Sequence, residues 1–166
     1  MHTQTLQIST PSDTTIVLAR TFRAPRRLVW DAMFTPDPMR RWMLPPPGWT
    51  LTTCECDPRV AGALRLAWKS DDADPVMTLY GVFTECVRHS RLTHTETMVL
   101  GSGQLIGSQI ETHEFAEQAG LTTMRITQVY VSKEARDSAV ASGMEEGMEA
   151  GFKRLEEVLA RTPGSE

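Results

Sequence analysis

A change of period near residue 132 constrains this chain more than any other feature. From Thr50 to Val131 apolar and polar residues alternate with a period of two, broken by turn residues at intervals of roughly 8–12. From 133 to 160 the apolar residues recur instead every three or four positions. The first pattern predicts antiparallel strands joined by short turns, near 50–57, 63–70, 77–87, 91–99, 108–117 and 121–131. The breaks are Asp57-Pro58 with Ala61-Gly62, the polar run from Ser70 to Pro75, His89-Ser90, Gly101 to Gly103, and Ala119-Gly120. Gly120 there supplies the positive φ of a hairpin turn. The second pattern predicts one long amphipathic helix over 133–160. Its apolar stripe is Val140, Met144, Met148, Phe152, Leu155 and Leu159, with Glu145, Glu146, Glu149, Lys153 and Glu156 opposite. Gly143, Gly147 and Gly151 share one edge of that helix, each costing about 1 kcal/mol of helix propensity relative to Ala. Close approach of another backbone is the expected compensation, and the intervening glutamates exclude a membrane helix pair.

Upstream of the alternating block, residues 1–14 are polar and unpatterned, and are expected to form a tail with at most a short strand. Ile16 to Phe22 alternates as a strand with one buried face. Pro25 suits the first turn of a helix carrying Leu28, Val29, Ala32 and Met33. A second short helix is signalled by Asp37 as N-cap and Pro38 as first residue, and it carries Met39, Trp42 and Met43. Pro45-Pro46-Pro47-Gly48 ends it, because consecutive prolines cannot continue the hydrogen-bond ladder. This order predicts a single α+β domain over 15–162, followed by a short tail at 163–166. A curved antiparallel sheet of about six to seven strands grips the long C-terminal helix, with two short helices after the first strand.

Composition narrows the functional classes. The 166 residues are 40% hydrophobic and 23% charged, as in a globular domain and unlike a disordered chain. A net charge of −4 without any basic cluster argues against nucleic-acid binding, whose affinity comes from phosphate neutralisation. No run of 18 apolar residues is present to span a membrane. Three cysteines, Cys54, Cys56 and Cys86, with no signal-like N-terminus, fit free thiols and a cytoplasmic location. Cys54 and Cys56 lack the second ligand pair of a zinc finger, and no His-Glu-x-x-His, Gly-x-Ser-x-Gly or phosphate-binding glycine motif occurs. The sequence predicts neither a metal nor an organic cofactor.

Two groups of residues are candidates for a binding site. On the strand ending near 117, Phe115 is expected to point inward, and alternation brings His113 and Glu111 with it. Leu92 likewise turns His94 and Glu96 inward, and Met124 with Ile126 brings Gln128. Buried polar groups without partners cost on the order of 1–3 kcal/mol each, so these must bond one another, water or a ligand. A register shifted by one residue would instead expose them all and bury Ile110 and Thr112. The second group is the methionines Met33, Met39, Met43, Met144 and Met148 on the helices, with Trp30, Trp42 and Trp68. These are either core filling or an adaptable, polarizable wall. Trp42, beside the proline run, is expected at a cavity mouth, and Trp49 half exposed.

Taken in order, Arg20-Thr-Phe22-Arg-Ala24-Pro25 leading to Val29-Trp30, the Trp42 segment, Asp57-Pro-Arg-Val-Ala-Gly62, Gly81 to Glu85, Arg91-Leu92, Thr127-Gln128 and the Gly143 to Leu155 glycine-rich segment resemble a known pattern. It is that of the START-like, Bet v 1-like (SRPBCC) superfamily with its helix-grip fold, and within it the proteins related to the activator of the Hsp90 ATPase. Ala63 stands where the family usually has a second glycine, and Phe152 where an aromatic is usually Trp. The resemblance implies a cavity between sheet and helix that takes a small apolar or amphipathic molecule, and no shared catalytic set. Met33, Trp42, Met43, Trp68, His94, Glu111, His113, Gln128, Met144 and Met148 are the expected ligand-binding residues. Two other functions are compatible with the resemblance: regulation of an Hsp90-type ATPase, and a cyclase or hydrolase using His94, Glu111 or His113. A homodimer through a sheet edge or the glycine-flanked helix is also compatible.

Overall fold

A computed structural model describes residues 5–45, 47–72 and 76–164. Parts of the expected tails (1–4 and 165–166), Pro46 of the proline run and 73–75 of the turn after Ser70 lie outside the described residues. The chain forms β1 (Gln7–Ser12), β2 (Thr15–Phe22), α1 (Arg26–Phe34), α2 (Pro36–Trp42), β3 (Trp49–Cys56), β4 (Ala63–Ser70), β5 (Val76–Val87), β6 (Arg91–Leu100), β7 (Gln104–Gln118), β8 (Leu121–Tyr130), α3 (Lys133–Ala141) and α4 (Met144–Ala160). It is an α+β helix-grip fold. One antiparallel sheet has the order β1-β2-β8-β7-β6-β5-β4-β3, eight strands against the six to seven expected. The additional strand is β1, which the polar N-terminal segment builds by pairing Gln7 with Ala19 and Ile8 with Leu18. Strands β3 to β8 form a meander, and β2 joins its end by pairing Ile16 with Gln128 and Leu18 with Ile126.

The short helices start one residue later and two residues earlier, respectively, than their prolines suggested. Pro25 caps α1 rather than opening it, and Pro36 takes the first position of α2 with Thr35 as cap, leaving Asp37 in the first turn. Both helices pack inward through Leu28, Val29, Met33, Phe34, Met39 and Trp42, all buried. Trp30, read as a possible wall residue, sits instead in an edge-to-face cluster with Phe34 and Phe115, at ring distances of 5.2 and 5.6 Å.

The expected single C-terminal helix is two helices. Ser142 ends α3, and Gly143, at φ 81°, starts α4 from the left-handed region. No residue of α3 is buried, and Val140, assigned to the apolar stripe, is 43% exposed. Only Phe152, Leu155 and Leu159 of that stripe are fully buried, with Met144 and Met148 partly so. The glycine row does not make one shared backbone approach, and its three members stand in three different surroundings. Gly143 turns the chain, and Gly151 faces the Trp42 ring at 3.7 Å from where a Cβ would stand. At Gly147, among the described residues, nothing lies within 4 Å of that point.

Two glutamates read as part of a solvated face, Glu149 and Glu156, instead fasten α4 to the sheet. Arg20 projects from β2 with its side chain 1% exposed. Its guanidinium donates to Glu149 Oε2 (3.1 Å) and Oε1 (3.1 Å) and to Glu156 Oε1 (2.9 Å). It also lies 4.9 Å from the centre of the Phe22 ring, which meets Phe152 edge-on at 5.8 Å. Glu149 further accepts the Leu6 N–H at 2.9 Å, tying the N-terminal segment to the same point. Burial alone would raise the Glu149 pKa, but the hydrogen bonds from Arg20 and Leu6 and the Arg20 charge outweigh it and hold it below the ordinary value.

Glu149→Ala is expected to lower the unfolding free energy by about 3 kcal/mol in denaturant titration, since it strips a buried cation of its bidentate partner. Because the folded pKa of Glu149 is depressed, its contribution is fully present above the unfolded value of roughly 4.3 and is lost as pH falls through the folded one. Acid unfolding of Glu149→Gln, followed by circular dichroism, should therefore show a shallower loss of stability below about pH 4 than the unmodified chain. Gly143→Ala should destabilise by about 1–2 kcal/mol in the same titration, because alanine is strained at φ 81°.

Candidate functional site

The concave face of the sheet, α1, α2 and α4 enclose a cavity of about 520 Å³. Period-two alternation supplies its sheet side: Leu64, Leu66 and Trp68 from β4, Met77 and Leu79 from β5, His94, Glu96 and Met98 from β6, Glu111 and His113 from β7, and Ile126 and Gln128 from β8. The helical side is Met33, Phe34, Met39 and Trp42, then Met144, Gly147, Met148, Gly151 and Phe152. Met43, Leu44 and Pro45 after α2, with Trp49 and Arg154, complete the lining. All ten residues expected from the sequence border this space. Trp42 is a wall residue rather than a mouth residue: it is 7% exposed, donates from Nε1 to Ala32 O at 2.9 Å and packs on Phe152. Leu44, which also borders the cavity, is 50% exposed. Arg154 holds that segment to α4 by donating to Trp42 O (3.0 Å) and Leu44 O (3.2 Å).

Sequence reasoning singles out five helical methionines, four of them as site residues, but seven methionines border the cavity. The two added by the sheet, Met77 and Met98, follow the same alternation that selected Leu92 and His94, so their signal was present. Leu64, Leu66 and Leu79 could have been found in the same way. Phe34, Gly147 and Arg154 could not, because only the packing of α1 and α4 against the sheet brings them to the cavity.

The polar end is built by register. His94 of β6 is paired with Glu111 of β7, and Glu111 with Gln128 of β8, so the three stand in a row across neighbouring strands. His113 is two residues along β7, on the same face. All four are buried, at 2% to 6% exposure. Gln128 Nε2 donates to Glu111 Oε2 at 3.1 Å, and Tyr130 Oη donates to Gln128 Oε1 at 3.0 Å. His94 Nδ1 lies 3.0 Å from Thr95 O. A carbonyl can only accept, so the proton sits on Nδ1 and leaves the Nε2 lone pair free. His113 Nε2 lies 3.0 Å from Glu111 Oε1 but off the line of a hydrogen bond, and its Nδ1 has no partner among the described residues. Its ring is held by Phe34 edge-on at 5.3 Å and by stacking on His94 at 5.5 Å.

The charges at this end are unevenly distributed. Burial, followed by the nearby Glu111 carboxylate and a hydrogen bond to it, pushes the Glu96 pKa well above the carboxylate range, so Glu96 keeps its proton. Gln109 Nε2 also donates to Glu96 Oε1 at 2.9 Å. Burial would raise Glu111 as well, but contact with His113, then His94 and the Gln128 amide, outweighs it and leaves Glu111 ionised. Burial, with His113 adding to it against the pull of Glu111, lowers His94, which is therefore neutral near pH 7. One end of an otherwise apolar space thus offers a protonated acid, a carboxylate and a neutral imidazole. That set can donate to and accept from a polar group, and Glu96 and His94 can give or take a proton. His94, Glu111 and His113 each offer one ligating atom, and those atoms lie within 4.8 Å of one another.

Known proteins place this architecture. A structure from Rhodobacter sphaeroides superposes with a TM-score of 0.85 at 26% identity, covering 95% of this chain and 99% of that one. One from Mycobacterium smegmatis gives 0.79 at 19% identity, with 94% and 97% covered, and a solution structure from Arthrobacter aurescens 0.79 at 20%, with 96% and 94% covered. No curated protein matches the chain at a significant level. The family model described as activator of Hsp90 ATPase homolog 1-like protein matches residues 23–160, which span α1 through α4 and every cavity-lining residue named above. By that match and by its helix-grip fold, a scaffold that generally serves ligand binding, the chain belongs to the family of activator of Hsp90 ATPase homolog 1-like proteins.

Proposed function

We propose that this protein binds one small amphipathic molecule in the cavity between sheet and α4, apolar body against the methionines and polar end at His94, Glu111 and Gln128, and that it does so in the cytoplasm. The observation that carries this reading is the cavity's asymmetry. A volume of about 520 Å³ lies within the range of small-molecule sites, and seven methionines with Trp42, Trp49 and Trp68 form its apolar part. Methionine side chains are flexible and polarizable, so such a wall adapts to differing ligand shapes. A purely structural core would gain nothing from clustering His94, Glu96, Glu111, His113 and Gln128 on one face, where desolvation opposes them. Three free cysteines, Cys54, Cys56 and Cys86, suit a reducing compartment. No helix among the described residues is long and apolar enough to cross a membrane.

Titration with the anionic apolar probe 1-anilinonaphthalene-8-sulfonate is expected to give saturable, one-to-one fluorescence enhancement with quenching of tryptophan emission. Medium-chain fatty acids or alcohols should displace it competitively. Absence of saturable binding would refute the reading.

Gly147 provides the steric control, because a side chain there enters the cavity without meeting the wall. Gly147→Phe should weaken probe binding at least tenfold while retaining the fold by circular dichroism. Gly147→Ala should bind normally and gain up to about 1 kcal/mol of stability from helix propensity.

A further inference from the structure

We propose that His94, Glu111 and His113 form a binding site for a single divalent transition-metal ion, of the kind that Zn²⁺ or Fe²⁺ occupies, at the polar end of the cavity. This goes beyond small-molecule binding, does not depend on it, and departs from the sequence expectation that no metal is held.

Two histidines and one carboxylate on one face of an ion are a recurrent donor set for such metals, leaving the opposite positions open. Three features favour that use here. First, His113 is 5% exposed, its Nδ1 has no partner among the described residues, and its Nε2 stands 3.0 Å from Glu111 Oε1 without hydrogen-bond alignment. Two donors each about 2.1 Å from a common ion at right angles are themselves about 3.0 Å apart, so this spacing suits ligation better than it suits the pair's own bond. Second, His94 donates from Nδ1 to Thr95 O, the arrangement that orients an imidazole to offer Nε2 to a metal. Glu111 is similarly steadied by Gln128, which Tyr130 in turn holds. Third, the ligands come from adjacent strands in fixed register, His94 opposite Glu111 and His113 two residues along, so the sheet sets their separation. The three donor atoms lie within 4.8 Å of one another, and side-chain rotation of the order of 1 Å closes them on an ion. The remaining coordination positions would face the methionine-lined space, available to water or to an oxygen or nitrogen donor of a bound molecule. Two neutral imidazoles and one carboxylate would leave a divalent ion with net positive charge, favouring an anionic donor there.

The test uses full-length, tag-free protein stripped with a chelator and dialysed. Zn²⁺ is titrated calorimetrically with metal content measured by mass spectrometry, and Co²⁺ is followed by visible absorption. One ion per chain is expected, with d–d bands of a nitrogen and oxygen donor set, and with paramagnetic broadening of the His94 and His113 imidazole signals in the unmutated protein. His113→Asn and Glu111→Gln should each weaken affinity at least about tenfold, whereas Cys54→Ser with Cys56→Ser should leave it unchanged. Sub-stoichiometric binding, thiolate charge-transfer absorption, or affinity retained in His113→Asn and Glu111→Gln would overturn the site. The imidazole broadening needs no substitution, so it decides the matter even if a variant fails to fold. Probe binding that persists in metal-free protein would leave the small-molecule reading standing whatever the metal result.

Discussion

Everything this fold does depends on how α4 is fixed across the concave face of the sheet, and the fixing point is Arg20. A guanidinium with 1% side-chain exposure cannot be left without partners, and Glu149 and Glu156, about two turns apart on α4, supply three charge-assisted hydrogen bonds. The adjoining Phe22–Phe152 contact and the Trp42 packing against Gly151 and Phe152 extend the same seam with apolar area. An ion pair specifies one rotation and one height for the helix, which apolar packing alone does loosely. With α4 held there, Gly147 and Met148 line a cavity that the helix would otherwise fill or leave open.

The cavity is a compromise between two opposed demands. Methionines and tryptophans make most of it a good apolar solvent, yet the strands β6, β7 and β8 place five polar side chains against that medium. Their desolvation is offset by pairing within the row: Glu96 keeps a proton beside Glu111, Gln128 bridges Glu111 to Tyr130, and His94 satisfies Thr95. His113 is the member that this internal accounting leaves incomplete. An incompletely satisfied buried group within a fully registered network is where an external partner gains the most.

Much of this was legible in the residues. The strands fell within a few positions of expectation, because alternation with turn residues is a local signal, and the inward orientation of His94, Glu111, His113 and Gln128 followed from anchoring each strand on Leu92, Phe115 or Met124. The polar β1 was weakly marked, since an edge strand needs no buried face to form. The helix break is hidden in the sequence for a different reason. Along the chain Gly143 is one of three equivalent glycines, whereas its positive φ, the open space at Gly147 and the Trp42 contact at Gly151 are three separate consequences of where α4 sits. Glu149 and Glu156 look solvated in sequence because their charge is local information and their partner, Arg20, lies more than 120 residues away.

By itself, then, the sequence determined most of the elements, their order and which side of each strand faces the core, because those follow from residue spacing along a single strand or helix. Only the tertiary structure decided the rest: that the strand row aligns His94, Glu111 and Gln128 and brings His113 against them, that two glutamates turn inward to a buried arginine, and that a cavity remains between helix and sheet. Each of these depends on distances between residues remote in the chain, and such distances are set by packing rather than by local pattern.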